Sequence, residues 1–212
     1  VYKLKAYEIP ESSRIGRGTA VVNLLQLQPD EGIQTMIPIH DPEEGGYLFF
    51  ATEMGQVKRT ELTEFRNIHK GGIIAIALNE GDSLINVIRT WGDDEILLVT
   101  AQGQSIRFLE EDARPMGRNT RGVRGIRLRE GDAVVGMIPV LEGYDLFLVS
   151  ANGYGKRSRF EDYRVQGRGG SGIRTYTVTE KTGPLVTAAP AADGYDLLLI
   201  NDAGIIIRLE ME

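Results

Sequence analysis

The sequence predicts an all-β array of four-stranded blades with about 50 residues per repeat. Three observations predict it. The segments Tyr47-Leu-Phe-Phe-Ala-Thr, Glu95-Ile-Leu-Leu-Val-Thr, Asp145-Leu-Phe-Leu-Val-Ser and Asp196-Leu-Leu-Leu-Ile-Asn share one apolar pattern. Each is followed by a glycine, at Gly55, Gly103, Gly153 and Gly204, so the intervals are 48, 50 and 51 residues. The 26 glycines are spread along the chain rather than gathered in a linker, which marks many tight turns and therefore short strands.

The elements of one repeat follow in order. The apolar run is continuous rather than alternating, which predicts a strand buried on both faces. The glycine after it predicts a hairpin, most clearly at Asn152-Gly153. Four residues beyond each glycine stands a cation, at Arg59, Arg107, Arg157 and Arg208, and Lys3 holds the same place in the opening fragment. This second strand mixes cations with apolar residues, so it is expected nearer the rim, with Arg59, Arg107 and Arg157 facing one outer belt. A second register pairs a cation with glycine at Arg17-Gly18, Lys70-Gly71, Arg121-Gly122 and Arg168-Gly169, each leading into a strand-like run such as Ile73-Ile-Ala-Ile. A third register closes the unit: Gly81-Asp82, Gly131-Asp132 and Gly183 precede a last strand, with the two aspartates bonding their own turns. Helical periodicity is weak throughout. Residues 1–212 are expected to form a single domain that starts and ends inside a blade.

The net charge of −6 argues at first against a polyanionic partner, but the charges are not mixed evenly. Arg114, Arg118, Arg121, Arg124, Arg127 and Arg129 fall in a stretch without an acidic residue. Lys156, Arg157, Arg159, Arg164, Arg168 and Arg174 follow in the same part of the next repeat, against only Glu161 and Asp162. Stacking the repeats would gather these cations into a basic rim, and cations recurring at one structural position can follow phosphates along a duplex without reading bases. The candidate DNA-binding residues are Lys3, Lys58, Arg59, Arg107, Arg118, Arg121, Arg124, Lys156, Arg157, Arg164 and Arg168, with Gly169 and Gly170 offering backbone N–H groups to phosphate.

Other chemistries lack residues. No apolar run approaches the roughly 20 residues of a membrane helix. With no cysteine there is neither a disulfide framework nor a thiolate metal site, which suits a reducing, cytoplasmic setting. His40 and His69 lie in different repeat positions without companions at ligand spacing, so no metal, cofactor or catalytic residue is expected. Gly167-Arg-Gly-Gly-Ser-Gly172 has the spacing of a dinucleotide fingerprint but leads into strand-like Ile173-Arg-Thr-Tyr-Thr-Val, where that motif requires a helix. Trp91 is expected to pack.

Val1-Tyr-Lys-Leu-Lys-Ala-Tyr-Glu-Ile-Pro, Val22-Asn-Leu-Leu, Met116-Gly-Arg followed by Gly122-Val-Arg-Gly-Ile, and Asn152-Gly-Tyr-Gly-Lys-Arg resemble successive blades of the C-terminal domain of DNA gyrase A subunits. The resemblance spans essentially the whole chain. It implies a β-pinwheel, six-bladed in that family, whose positive perimeter wraps duplex DNA and so serves negative supercoiling by an ATP-dependent type II topoisomerase. The DNA-cleaving tyrosine and the ATP site lie in other parts of that enzyme, so a non-catalytic domain is implied. The whole protein's implied partners are the gyrase B subunit, together with a second copy of the A chain. The family's hallmark box is glutamine, two basic residues, two glycines, a basic residue and glycine. Gln166-Gly-Arg-Gly-Gly-Ser-Gly172 is similar to it, with Gly167 and Ser171 where basic residues would stand, and the complete box is expected before Val1. The corresponding domain of topoisomerase IV, and a propeller-like protein-interaction scaffold, are the alternatives.

Overall fold

The computed structural model describes residues 1–29 and 31–211; Asp30 and Glu212 lie outside them. Thirteen strands are formed: β1 (Tyr47–Thr52), β2 (Gln56–Glu61), β3 (Leu84–Thr90), β4 (Glu95–Thr100), β5 (Gln104–Leu109), β6 (Val123–Arg124), β7 (Val134–Pro139), β8 (Asp145–Ser150), β9 (Gly155–Arg159), β10 (Ile173–Arg174), β11 (Leu185–Ala191), β12 (Asp196–Ile200) and β13 (Ile206–Glu210). They make four antiparallel sheets, β3-β1-β2-β6, β7-β4-β5-β10, β11-β8-β9 and β12-β13. The remaining regular elements among the described residues are short 3-10 turns.

The repeated hairpin forms because glycine follows the apolar strand. Gly55, Gly103, Gly153 and Gly204 adopt φ of 79°, 78°, 78° and 78°, a left-handed conformation that costs a side-chain-bearing residue about 1–2 kcal/mol. The strand before each glycine is buried on both faces in the first two sheets. Phe49 and Ala51 pack with Ile96, Leu98, Ile106 and Phe108 between the first and second sheets, while Leu48 and Phe50 meet Leu62, Phe65 and Val87 on the first sheet's other side. Leu97 and Val99 face Leu146, Leu148 and Phe160 between the second and third. The fourth hairpin differs: Leu198 is 61% exposed and Ile206 61%.

The closing turns behave as their sequence implies. Asp82 Oδ1 accepts from Met54 N and Ser83 N, and Asp132 Oδ1 from Gln102 N and Ala133 N, all at 2.9 Å, so each aspartate ties the closing turn to the hairpin turn.

Sheet composition departs from the sequence period. β6 belongs to the second repeat but pairs with β2 of the first sheet, and β10 of the third repeat pairs with β5 of the second. Each complete blade therefore borrows its last strand from the following repeat. The borrowed strands are only two residues long. Ile73-Ile-Ala-Ile, expected as a strand, forms a single reciprocal pair of bonds in which the Val1 amino group donates to Ile73 O at 2.7 Å and Ile73 N donates to Val1 O at 3.0 Å. No strand follows Arg17-Gly18; among the described residues before Tyr47 only 3-10 turns occur. β6 and β10 form because β2 and β5 offer them a free edge.

β7 packs against both β3 and β11 along one side of the array, where Gly136 leaves room for Ala188: a Cβ there would lie 2.8 Å from the Ala188 methyl. β6 and β10 consequently lie at the opposite, outer edge.

Candidate nucleic-acid interface

The outer edge is built from three equivalent segments, residues 71–79, 121–129 and 171–179. Their common register is fixed by glycines that must approach a neighbouring strand closely. A Cβ on Gly122 would sit 2.4 Å from Val57 O, one on Gly172 2.1 Å from Ser105 O, and one on Gly72 2.9 Å from the Tyr2 ring. Val1 thereby occupies the place of Val57 and Ser105, and Lys3 that of Arg59 and Arg107. The same contacts correct two pairings of the second register. Gly72 rather than Gly71, and Gly172 rather than Gly169, match Gly122.

In this register Arg121, Arg124, Arg127 and Arg129 are all exposed. Their counterparts are Ser171, Arg174, Thr177 and Thr179 in the third segment, and Gly71, Ile74, Ala77 and Asn79 in the first. The segments are joined laterally by main chain: Ala77 N donates to Thr120 O at 3.0 Å and Arg127 N to Gly170 O at 2.8 Å. Arg127, Arg129 and Arg174, which the sequence places in the basic runs but not among the candidate DNA-binding residues, join the exposed arginines of this edge.

The cations of the second hairpin strand do not face the belt. Arg59, Arg107 and Arg157 hold equivalent registers opposite Phe49, Leu97 and Phe147, but each is turned inward to protein acceptors. Arg59 is 6% exposed, lies 3.6 Å from Glu110 and stacks 4.5 Å over Tyr47. Arg107 pairs with Glu95 and donates to Phe160 O at 2.7 Å and Tyr163 O at 3.1 Å. Arg157 donates to Asp145 at 2.7 Å and Asp193 at 2.6 Å, contacts that raise its already high pKa. Burying a guanidinium is tolerable only with such partners. The mixture of cations and apolar residues on this strand reads as a rim; acceptors supplied by following repeats turn these arginines into links between blades.

Lys58 is corrected in the same way. It is fully buried, and its ammonium donates to the carbonyls of Ala75 and Arg118 over the Phe50 ring. Desolvation, with Arg118 nearby, lowers its pKa to about 8. The Gly169 N–H is committed to Gly125 O at 2.7 Å, so it is not free for phosphate, and Gly170 O accepts from Arg127.

Other candidates divide. Arg121, Arg124, Arg164 and Lys3 are exposed. Arg118 is partly exposed and lies 3.9 Å from Glu64. Arg168 donates to Arg124 O at 2.6 Å and Asp112 O at 3.1 Å, laying the glycine-rich turn onto the second segment. Lys156 donates to Thr175 O at 2.8 Å beside Arg174, where both line a shallow hollow with Tyr176. Trp91, expected to pack, is 55% exposed and is covered on one face by Arg89, whose guanidinium carbon stands 4.1 Å from the ring centroid. Among the described residues no group of three His, Cys, Asp or Glu side chains is placed to hold a metal ion, and no helix is long and apolar enough to cross a membrane.

A row of antiparallel sheets, the first two completed by arginine-bearing strands from the next repeat, defines a propeller-type β array with a cationic edge. The chain belongs to the family described as the DNA gyrase C-terminal domain, beta-propeller, which matches residues 1–40, 46–90, 94–141 and 144–192. It is 60% identical over 212 residues to the DNA gyrase A chain of Halalkalibacterium halodurans and 52% identical over 211 residues to that of Clostridium acetobutylicum, covering 100% of this chain in both cases but only 26% and 25% of those proteins. The chain thus spans about a quarter of the length of these relatives. A solved DNA gyrase A C-terminal domain superposes with a TM-score of 0.83 at 30% identity, covering 97% of this chain and 67% of that one. The C-terminal domain of a DNA topoisomerase IV gives 0.85 at 26% identity, covering 91% and 61%. The fold is the β-pinwheel that the sequence implied.

Proposed function

We propose that this chain binds duplex DNA without sequence preference along the edge carried by Arg121, Arg124, Arg127, Arg129 and Arg174, and that within a longer gyrase A chain it wraps DNA for ATP-dependent negative supercoiling. The observation that carries the reading is the set of exposed arginines on the outermost segments of a fold shared with gyrase. Exposed guanidinium groups along one edge can neutralise successive phosphates and displace condensed counterions, which gives affinity without base readout. Bond breaking and nucleotide hydrolysis belong in this reading to other parts of the enzyme that the longer protein forms in the cytoplasm with its partners, the gyrase B protein and a second A chain. The identities of 52% and 60% to gyrase A chains favour gyrase over topoisomerase IV.

The test is a fluorescence titration on two unrelated duplexes of about 40 base pairs, from about 50 to 200 mM salt, where log affinity should fall linearly with log salt at about −0.9 per phosphate contacted. Changing Arg121, Arg124 and Arg127 together to alanine should weaken both duplexes alike and flatten the slope by roughly one unit per lost contact. Salt-independent affinity, or no binding at low salt, would leave the interaction-scaffold reading as the better one.

A further inference from the structure

The three outer segments share a backbone but not a charge. Residues 71–75, 121–125 and 171–175 repeat one burial pattern: exposed, half-buried, half-buried, exposed, buried. The side chains that project at the fourth place are Ile74, Arg124 and Arg174, and Ile74 is 67% exposed. The first segment also has Gly71, Ala77 and Asn79 where the second has three further arginines, so Lys70 just before Gly71 is the cation left beside those places. Main-chain links hold the segments in one continuous edge, so the difference lies in the side chains and not in the path.

We infer that the residue at the Ile74, Arg124 and Arg174 position sets how firmly each blade holds a duplex, so that this chain grips DNA at its second outer segment, holds it less at the third and leaves a gap at the first. The inference rests on the DNA-binding reading and adds a direction to it. A duplex following the edge meets four guanidinium groups on one segment, one on the next, and an isoleucine on the third. Counterion release is additive over contacted phosphates, so the free energy of wrapping is concentrated on residues 121–129. The stretch over Ile74 is the part that lifts off first.

The position can be rewritten without disturbing the core, because the side chain is in solvent and Arg124 engages the fold through its carbonyl rather than its guanidinium. The full chain would be titrated with a duplex of about 40 base pairs across about 50 to 200 mM salt as wild type, Ile74→Arg, Ile74→Gln, Arg124→Ile, Arg124→Gln and the Ile74→Arg/Arg124→Ile exchange. Ile74→Arg should tighten binding and steepen the salt slope by about 0.9, Ile74→Gln should leave the slope unchanged, and both Arg124 variants should flatten it by about 0.9. The exchange should restore the wild-type slope. Wild-type binding that is salt-dependent but indifferent to Ile74→Arg would show that the duplex does not pass over the first segment and overturn the inference alone. A wild type without salt-dependent binding would overturn the DNA-binding reading beneath it.

Discussion

At Lys58 an ammonium is enclosed with two carbonyl oxygens and a phenyl ring, and among the described residues no carboxylate pairs with it. Its pKa falls from the ordinary value near 10.5 to about 8, because burial penalises the charged form. Below pH 8 the lysine is protonated in both folded and unfolded chains, and the folded state bears the full penalty. Between pH 8 and 10.5 the unfolded chain binds more protons, so this group's contribution to stability rises with pH. Urea unfolding at pH 7 and 9.5 should show wild type gaining about 2 kcal/mol relative to Lys58→Met, while a constant difference would place the amine's pKa near normal. Glu110 presents the opposite case. It is fully buried, accepts from Thr90 Oγ1 at 2.6 Å, Asp94 N at 3.1 Å and Gly92 N, and stands beside Arg59. Glu110→Leu, which introduces the residue found at the equivalent Leu62, should cost about 3–5 kcal/mol by leaving Arg59 buried and unpaired. Adding Arg59→Met should recover part of that loss in thermal unfolding.

The glycines of the outer segments tie local geometry to the borrowing of strands. Gly122 has φ of 90° and faces Val57 O, whereas Gly131 has φ of 72° with open space around its missing Cβ. Gly131→Ala should therefore cost only the left-handed strain of about 1–2 kcal/mol, and Gly122→Ala clearly more, because β6 must also retreat from β2. Equal midpoint shifts in urea would mean that β6 is not held against β2. Hydrogen exchange should separate the sheets as well. Amides of β4, whose Ile96, Leu97, Leu98 and Val99 are 0% exposed, should exchange near the global limit, and those of β12 and β13, which among the described residues pair only with each other, through local opening. The hairpins are legible in the sequence because a glycine and an apolar run are local signals. The partner of β6 is not. A two-residue strand carries no periodicity that distinguishes its own repeat's edge from the preceding one, and Gly71, Gly72, Gly169 and Gly172 offer several equally plausible registers until their close contacts are known.

Across the whole molecule the arginines separate into two populations that the sequence presents alike. Arg59, Arg107 and Arg157 read as outward because their strand mixes cations with apolar residues; their acceptors at Glu110, Phe160 and Asp193 lie 51, 53 and 36 residues away, beyond what a local pattern reports. Arg121, Arg124, Arg127 and Arg129 keep to solvent. Variants of the first group should lower the thermal midpoint and leave the salt slope of DNA binding unchanged, and variants of the second should do the reverse, since exposed charges usually contribute only about 0–1 kcal/mol to folding. A single variant of Arg59 that flattened the slope with normal stability would merge the populations. The borrowed outer strand also bears on how such a chain can change in length. Because the second repeat gives a strand to the first and receives one from the third, a duplicated stretch of one period taken from this part of the chain restores each pairing wherever the copy begins. Genetic gain or loss of a blade would thus need no matching of breakpoints to structural boundaries.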